Sequence, residues 1–103
     1  MTQVTLKQDG DTLTAMLSGE IDHHSAALLR EKIDERTAAC EPKELILDFS
    51  EVTFMDSSGV GLILGRHKLI SSLGGSAIVQ NAPQSIRRML SIAGIESREN
   101  GDD

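Results

Sequence analysis

The sequence predicts an α/β fold in which a mixed sheet of four to five strands carries three to four helices packed largely on it. Short apolar or alternating runs, typical of strands, take turns along the chain with segments whose apolar residues recur at helical spacing. This alternation implies right-handed crossovers between parallel strands. The length of 103 residues suits a single domain with one core, which we place at residues 4–95, followed by a polar tail at 96–103.

The chain is predicted to open with an antiparallel hairpin. Residues 4–7 and 12–18 alternate, and Asp9-Gly10 between them is a hairpin turn signal. The stretch GEIDHHS, residues 19–25, then breaks the strand pattern. A first helix is expected at about residues 25–39, with Asp22 or Ser25 as its cap. Its apolar stripe would comprise Leu28, Leu29, Ile33 and Thr37.

The second half of the chain predicts two further strands and two helices. The run LILDF, residues 45–49, is typical of a central strand buried on both faces. The next helix should end at Gly74-Gly75, and a strand at 76–80 should lead to a last helix at 84–92, opened by Pro83. The buried stripe of the middle helix is predicted to be Val60, Ile63, Leu64, His67 and Ile70, with His67 at its edge. Ile86, Met89 and Leu90 should face inward from the last helix.

Composition excludes several classes of function. The formal net charge of −6 and the absence of Trp and Tyr argue against direct nucleic-acid binding, which uses basic faces and stacking platforms. The single cysteine, Cys40, cannot form an internal disulfide and is expected to be a small apolar filler. With no signal peptide and no apolar run long enough to span a bilayer, we expect a cytoplasmic protein without membrane contact.

The stretch MDSSGVG, residues 55–61, is the strongest candidate site. Asp56 or Ser57 can cap the helix that follows, and both lie at the carboxyl end of the central strand, where ligands of α/β sheets usually bind. The helix also carries Gly59, Gly61 and Gly65. Each glycine costs about 1 kcal/mol relative to alanine in a helix interior, so this load indicates close approach of a backbone, the protein's own or a partner's.

Other chemistries fit the residues less well. The spacing of Gly59, Gly61 and Gly65 is one residue too long for a dinucleotide fingerprint, and neither a P-loop nor a GxSxG motif occurs. A hydrolytic triad would need Ser57, one of the adjacent histidines and Asp22 to converge, a geometry that the sequence leaves open. Asp22, His23 and His24 are adjacent and have no second cluster of ligands, so we expect neither a metal site nor a cofactor.

Three segments together carry a family resemblance. GEIDHH at residues 19–24, FMDSSGVG at 54–61 and ILGR at 63–66 resemble the bacterial anti-sigma factor antagonists of the STAS domain type, most closely those that act in sporulation. The likeness runs from about residue 4 to residue 95. It depends on the Asp-Ser-Ser-Gly order combined with GEIDHH upstream, since either motif alone is weak.

The resemblance implies a function without catalysis. Such a protein, a monomer when free, binds an ATP-bound anti-sigma factor that is also a serine kinase, and thereby releases the sigma factor. Phosphorylation of the serine after the motif aspartate, here Ser57, abolishes binding, and a serine phosphatase restores it. The resemblance places Asp22, His23 and Asp56 around the phosphorylation site and in the docking surface, together with Ser58, Gly59 and Gly61.

One departure and two alternatives accompany this resemblance. The family commonly continues past the last helix with another strand or helix, whereas only small or polar residues follow Ile95 here. Related domains also serve as scaffold subunits of large signalling assemblies. A nucleotide-binding module that uses the glycine-rich helix start is the other alternative.

Overall fold

The computed structural model describes residues 1–99 and shows five strands and three helices in this range. In chain order these elements are β1 (Gln3–Asp9), β2 (Thr12–Ile21), α1 (His23–Cys40), β3 (Glu44–Met55), α2 (Ser57–Ser72), β4 (Ser76–Gln80), α3 (Gln84–Ile92) and β5 (Ser97–Arg98). The strands form one mixed sheet in the order β1-β2-β3-β4-β5. β1 is antiparallel to β2, and all other neighbours are parallel, which confirms the predicted fold class.

The hairpin turns at Gly10, which has a positive φ of 62°. β2 does not end at residue 18 as predicted but continues through Gly19 to Ile21. Gly19 permits this because its φ is +88° and a Cβ there would overlap the backbone carbonyl of Met1. The segment that looked like a break in the sequence is therefore the end of a strand with an irregular register.

The core is aliphatic around one aromatic side chain. Phe49 of β3 is the largest buried residue and has no exposed surface. Leu13 of β2 and Leu45 and Leu47 of β3 are also buried, at 0–1% exposure. Ile46, on the other face of β3, is only half-buried. The prediction that β3 is buried on both faces is therefore only partly right.

The predicted stripes of the first two helices are only partly right. Leu28 is 53% exposed and Leu64 49% exposed, and His67 also faces solvent. Leu29, Ile33 and Thr37 of α1 and Ile63 and Ile70 of α2 are buried as predicted, and the structure adds to the buried faces Ser25 on α1 and Gly59, Leu62 and Arg66 on α2. Both helices have apolar residues on more than one face, so periodicity alone does not select the buried one.

An ion pair between a buried arginine and a partly exposed aspartate joins these two helices. The Nε of Arg66 lies 2.7 Å from Oδ1 of Asp34, and Arg66 is only 6% exposed. Burial lowers the pKa of the Arg66 guanidinium below its ordinary value, and the charge of Asp34 acts against that shift. The pair places a polar contact between α1 and α2 in the layer that packs on the sheet, where removing Asp34 would leave the charge of Arg66 buried and unpaired.

The chain after α3 contains a strand that the sequence did not predict. Ser97 and Arg98 form β5 and pair with Val79 and Gln80 of β4, whereas residues 96–103 were expected to be a polar tail. Strand pairing uses backbone groups, so polar side chains do not prevent it. Residues 100–103 of the expected tail lie outside the described residues. Within residues 1–99, no helix is both long and apolar enough to cross a bilayer.

A buried carboxylate connects the central strands. Asp48 on β3 is 5% exposed and accepts hydrogen bonds from the amide and hydroxyl of Ser50 at 2.9 and 2.7 Å. Its other oxygen accepts from Gln80 at 2.9 Å and from Asn81 at 3.0 Å. Burial alone would raise the pKa of Asp48, but these four hydrogen bonds outweigh it and hold the pKa below its ordinary value.

This carboxylate predicts a pH-dependent contribution to stability. Because the pKa of Asp48 is lower in the folded than in the unfolded chain, its contribution is fully present at neutral pH and is lost as the pH falls below about 4. Asp48→Asn places an amide opposite donors that need an acceptor, so we expect a loss of about 1–3 kcal/mol at pH 7. Urea unfolding at pH 7 and at pH 3 measures both values.

The difference between Asp48→Asn and the wild type should shrink at pH 3, because the carboxylate of the unfolded chain is then protonated and part of the stabilisation of the wild type is lost. Glu35→Gln, which neutralises an exposed carboxylate on α1, is the control and should change stability little at either pH. An Asp48→Asn deficit that is constant from pH 7 to pH 3 would contradict this role for the ionised side chain.

Candidate functional site at the ends of two parallel strands

The two sequence motifs meet where β2 and β3 end. Ile21, the last residue of β2, pairs with Met55, the last residue of β3. The amide of Asp56 donates a hydrogen bond of 3.0 Å to the carbonyl of Ile21. The chain therefore leaves two adjacent strands at the same edge of the sheet and enters α1 and α2 from there, so both helix N-termini lie at this edge.

Asp22 caps the first of these helices. Its carboxylate accepts the amide of Ser25 at 2.8 Å, and the hydroxyl of Ser25 accepts the amide of Asp22 at 2.9 Å, which completes a capping box. Hydrogen bonds from the backbone and then the side chain of Ser25 are the main reason why the pKa of Asp22 lies below its ordinary value. Asp22 is thus a negatively charged, exposed residue at neutral pH, and His23 beside it is exposed as well.

Asp56 caps the second helix. Its carboxylate accepts the amide of Ser58 at 2.8 Å, and its carbonyl accepts the amide of Gly59 at 3.0 Å. The sequence left the cap open between Asp56 and Ser57, and the structure assigns it to Asp56. Ser57 is then the first residue of α2, and it is exposed, whereas Ser58 is half-buried. A hydroxyl in this position is accessible from solvent and lies at the electropositive end of the helix.

The glycines of α2 have different roles. A Cβ on Gly59 would overlap the side chain of Met55, which is 4% exposed, so a larger residue at position 59 would force Met55 to shift within the core. A Cβ on Gly61 or Gly65 would have no atom within 4 Å, and Gly61 is exposed. The predicted close approach therefore has a different explanation at each position. At Gly59 the neighbouring atoms belong to the protein itself, whereas Gly61 and Gly65 face open space that a partner could occupy.

The structure also places residues that sequence reasoning did not include. Phe54 is 54% exposed directly before the site, and its cross-strand partner on β2 is Glu20, also exposed. The carbonyl of Glu20 accepts hydrogen bonds from the hydroxyls of Thr2 and Ser25. The two-residue period of a strand could have indicated Phe54, because Phe54 and Met55 must point to opposite faces.

The arrangement does not resemble a metal centre. Over the part of the chain that the structure describes, no group of three or more His, Cys, Asp or Glu side chains could hold a metal ion. Asp22 accepts its hydrogen bonds from Ser25 and from the backbone of His24. This is the arrangement of a helix cap, in which the aspartate orients a backbone and not an imidazole.

Comparison with known proteins agrees with this geometry. The STAS domain family matches residues 3–100. The chain belongs to that family. An anti-sigma F factor antagonist of Paenibacillus polymyxa is 36% identical to this STAS domain over 93 residues, 90% of the chain and 80% of the relative. An anti-sigma-B factor antagonist of Bacillus subtilis (strain 168) is 32% identical over 93 residues, 90% of the chain and 84% of the relative.

Solved structures match this STAS domain over nearly its whole length. The anti-sigma factor antagonist SpoIIAA in its unphosphorylated form gives a TM-score of 0.84 at 29% identity, covering 99% of this chain and 90% of that one. The Bacillus SpoIIAA in its phosphorylated form gives 0.79 at 29% identity, covering 97% and 93%. Both forms of SpoIIAA thus share the fold described here.

The glycine geometry predicts opposite effects for three alanine substitutions. Gly59→Ala should destabilise the domain by about 1–3 kcal/mol, because Met55 is buried and cannot move aside without strain. Gly61→Ala and Gly65→Ala should each stabilise it by roughly 0.5–1 kcal/mol, because alanine favours a helix and meets nothing. Chemical denaturation of the three variants measures these changes, and destabilisation by Gly61→Ala would contradict the open space seen around it.

Proposed function

We propose that this STAS domain is an anti-sigma factor antagonist whose binding is controlled by phosphorylation of Ser57. In this proposal the unphosphorylated form binds, in the bacterial cytoplasm, an anti-sigma factor that is also an ATP-dependent serine kinase, and so releases the sigma factor. A serine phosphatase reverses the modification. The observation that carries the proposal is the exposed Ser57 at the first position of α2, in a chain whose relatives include antagonists and whose fold matches SpoIIAA in both forms.

Exposure favours Ser57 over its neighbour as the acceptor. The hydroxyl oxygen must attack the γ-phosphorus of ATP, with ADP leaving and the hydroxyl proton passing to a base, so it must be reachable by a bound nucleotide. Ser57 is exposed and Ser58 only half so. The chain supplies the acceptor, and the partner supplies the nucleotide and the catalytic groups, so we propose a substrate and binding protein and not an enzyme.

The charge of the new group explains how one hydroxyl could control binding. A phosphoserine adds about −1.5 to −2 charges. In the docked complex these charges would face the phosphates of the nucleotide that has just reacted, with the carboxylate of Asp56 also nearby, and like charges without water between them repel strongly. Loss of several kcal/mol at the interface weakens binding by more than a hundredfold.

We expect phosphorylation of Ser57 to leave the free protein folded. Phosphate at the first position of α2 lies against the free amides and the positive end of the helix dipole, which favour an anion. The modification therefore acts on the complex and not on the fold. The match of this chain to SpoIIAA in both forms supports this part of the proposal.

Substitution of the acceptor tests the proposal directly. Ser57→Ala should abolish labelling by the host's anti-sigma factor kinase and ATP while leaving binding largely intact, whereas Ser58→Ala should still be labelled. Ser57→Asp should weaken binding at least about tenfold, since a fixed carboxylate supplies part of the repulsion. Mass spectrometry locates the phosphate and calorimetry measures the affinity; equal labelling of Ser57→Ala and wild type would rule out this acceptor.

The open space at Gly61 provides a second test. If the kinase approaches the exposed start of α2 closely, the methyl group of Gly61→Ala should weaken binding even though it stabilises the domain. Gly65→Ala, one turn further along and equally free of internal contacts, is the matched control and should bind as the wild type does. If Gly61→Ala binds the kinase as tightly as Gly65→Ala and the wild type do, the partner does not approach this turn closely.

A further inference from the structure

One large aromatic side chain faces solvent beside the proposed acceptor. The chain has two aromatic residues, of which Phe49 is fully buried and Phe54 is 54% exposed. Phe54 lies three residues before Ser57 and directly before Met55, which is 4% exposed. Because about half of Phe54 stays exposed, burial on folding gives only part of the stabilisation that a phenylalanine can supply.

The irregular pairing of β2 and β3 explains why this side chain points outward. Ile21 and Met55, paired at the strand ends, are both buried beneath the helices. Phe54 pairs with Glu20, one position earlier, so strand alternation directs both side chains to the opposite face. The hydrogen bond from Asp56 to Ile21 holds this end of β3 in place.

Simple dimensions place Phe54 inside the footprint of a partner of standard interface size that is centred on Ser57. Three residues of extended chain span at most about 11 Å. A standard interface covers about 800 Å² on each protein, equivalent to a disc of roughly 16 Å radius. A kinase centred on the Ser57 hydroxyl therefore covers or borders the ring, and buried aromatic side chains often contribute much of the binding energy of an interface.

The charges around Phe54 indicate the chemistry of the surface that meets it. Glu20, which pairs with Phe54, and Glu51, three residues before Phe54 on β3, are both exposed, and Asp22 follows Glu20 closely. No Lys or Arg occurs within residues 8–29 or 44–65, which contain the ends of β2 and β3 and the first turns of α1 and α2. An apolar ring with an acidic rim is complementary to an apolar pocket edged by basic side chains.

We propose that Phe54 is the specificity-determining anchor of the docking surface and inserts into an apolar pocket of the anti-sigma factor kinase whose rim carries Lys or Arg facing Glu20 and Glu51. This inference rests on the proposed function and names the partner's chemistry at the same site. Ser57 then provides the reaction, and Phe54 provides the affinity that brings the two proteins together before phosphorylation.

The test compares Phe54→Ala with Ile92→Ala, which removes an exposed apolar side chain of α3 that is 85% exposed. Binding of the full chain to each anti-sigma factor kinase of the host, with ADP present, is measured by calorimetry. Phe54→Ala should weaken binding at least about tenfold, and Phe54→Leu should weaken it less. Ile92→Ala should bind as wild type does, and urea unfolding should show all three variants folded.

Phosphorylation kinetics add a readout that a loss of stability would not produce. Phe54→Ala should raise KM for the antagonist with little change in kcat, because the ring acts in docking and not at the phosphorus. If Phe54→Ala binds the kinase as tightly as the wild type does, the anchor is overturned and the proposed function stands. Absence of wild-type binding to any such kinase would overturn the proposed function and the anchor together.

Discussion

The hydrogen bond from the amide of Asp56 to the carbonyl of Ile21 is the constraint on which the site depends. It joins the ends of two parallel strands, so that two loops far apart in sequence begin their helices side by side. The strands reach this point by different paths, since β2 advances five residues from Met16 to Ile21 while β3 advances seven from Asp48 to Met55. Two irregularities in β3 absorb the difference, as bulges do when they redirect a strand end.

The two capping aspartates have the same structural role at this edge of the sheet. The carboxylates of Asp22 and Asp56 are engaged with amides of their own helices, so they shape the backbone and contribute negative charge. The hydroxyl of Ser57, which we propose as the phosphate acceptor, is exposed at the start of α2. In the proposed switch only the group on Ser57 changes, from a hydroxyl to a phosphate. The effect on the free energy of binding is then electrostatic and local, so the affinity can change while the fold does not.

Turn residues and helix-boundary residues made much of the fold predictable. Gly10 in the hairpin, Gly74 after α2 and Pro83 before α3 have backbone preferences that hold in any context, and the bounds of β4 and α3 follow the prediction. Features that need a distant partner were not predictable. Arg66 is buried because Asp34 of another helix meets it, and β5 exists because β4 offers it backbone groups. The same reason explains the misplaced members of the two helix stripes, since Leu28 and Leu64 would have suited either face.

At the site, the motif residues were predictable and their surroundings were not. The capping chemistry of Asp22 and Asp56 follows from the residue types, whereas the exposure of Phe54 depends on the register between β2 and β3. The division of the two phenylalanines, one in the core and one at the surface, has an optical consequence. A chain without Trp or Tyr is nearly transparent at 280 nm and silent in indole fluorescence. A single indole introduced at position 54 would therefore report on that edge of the sheet alone, against a dark background.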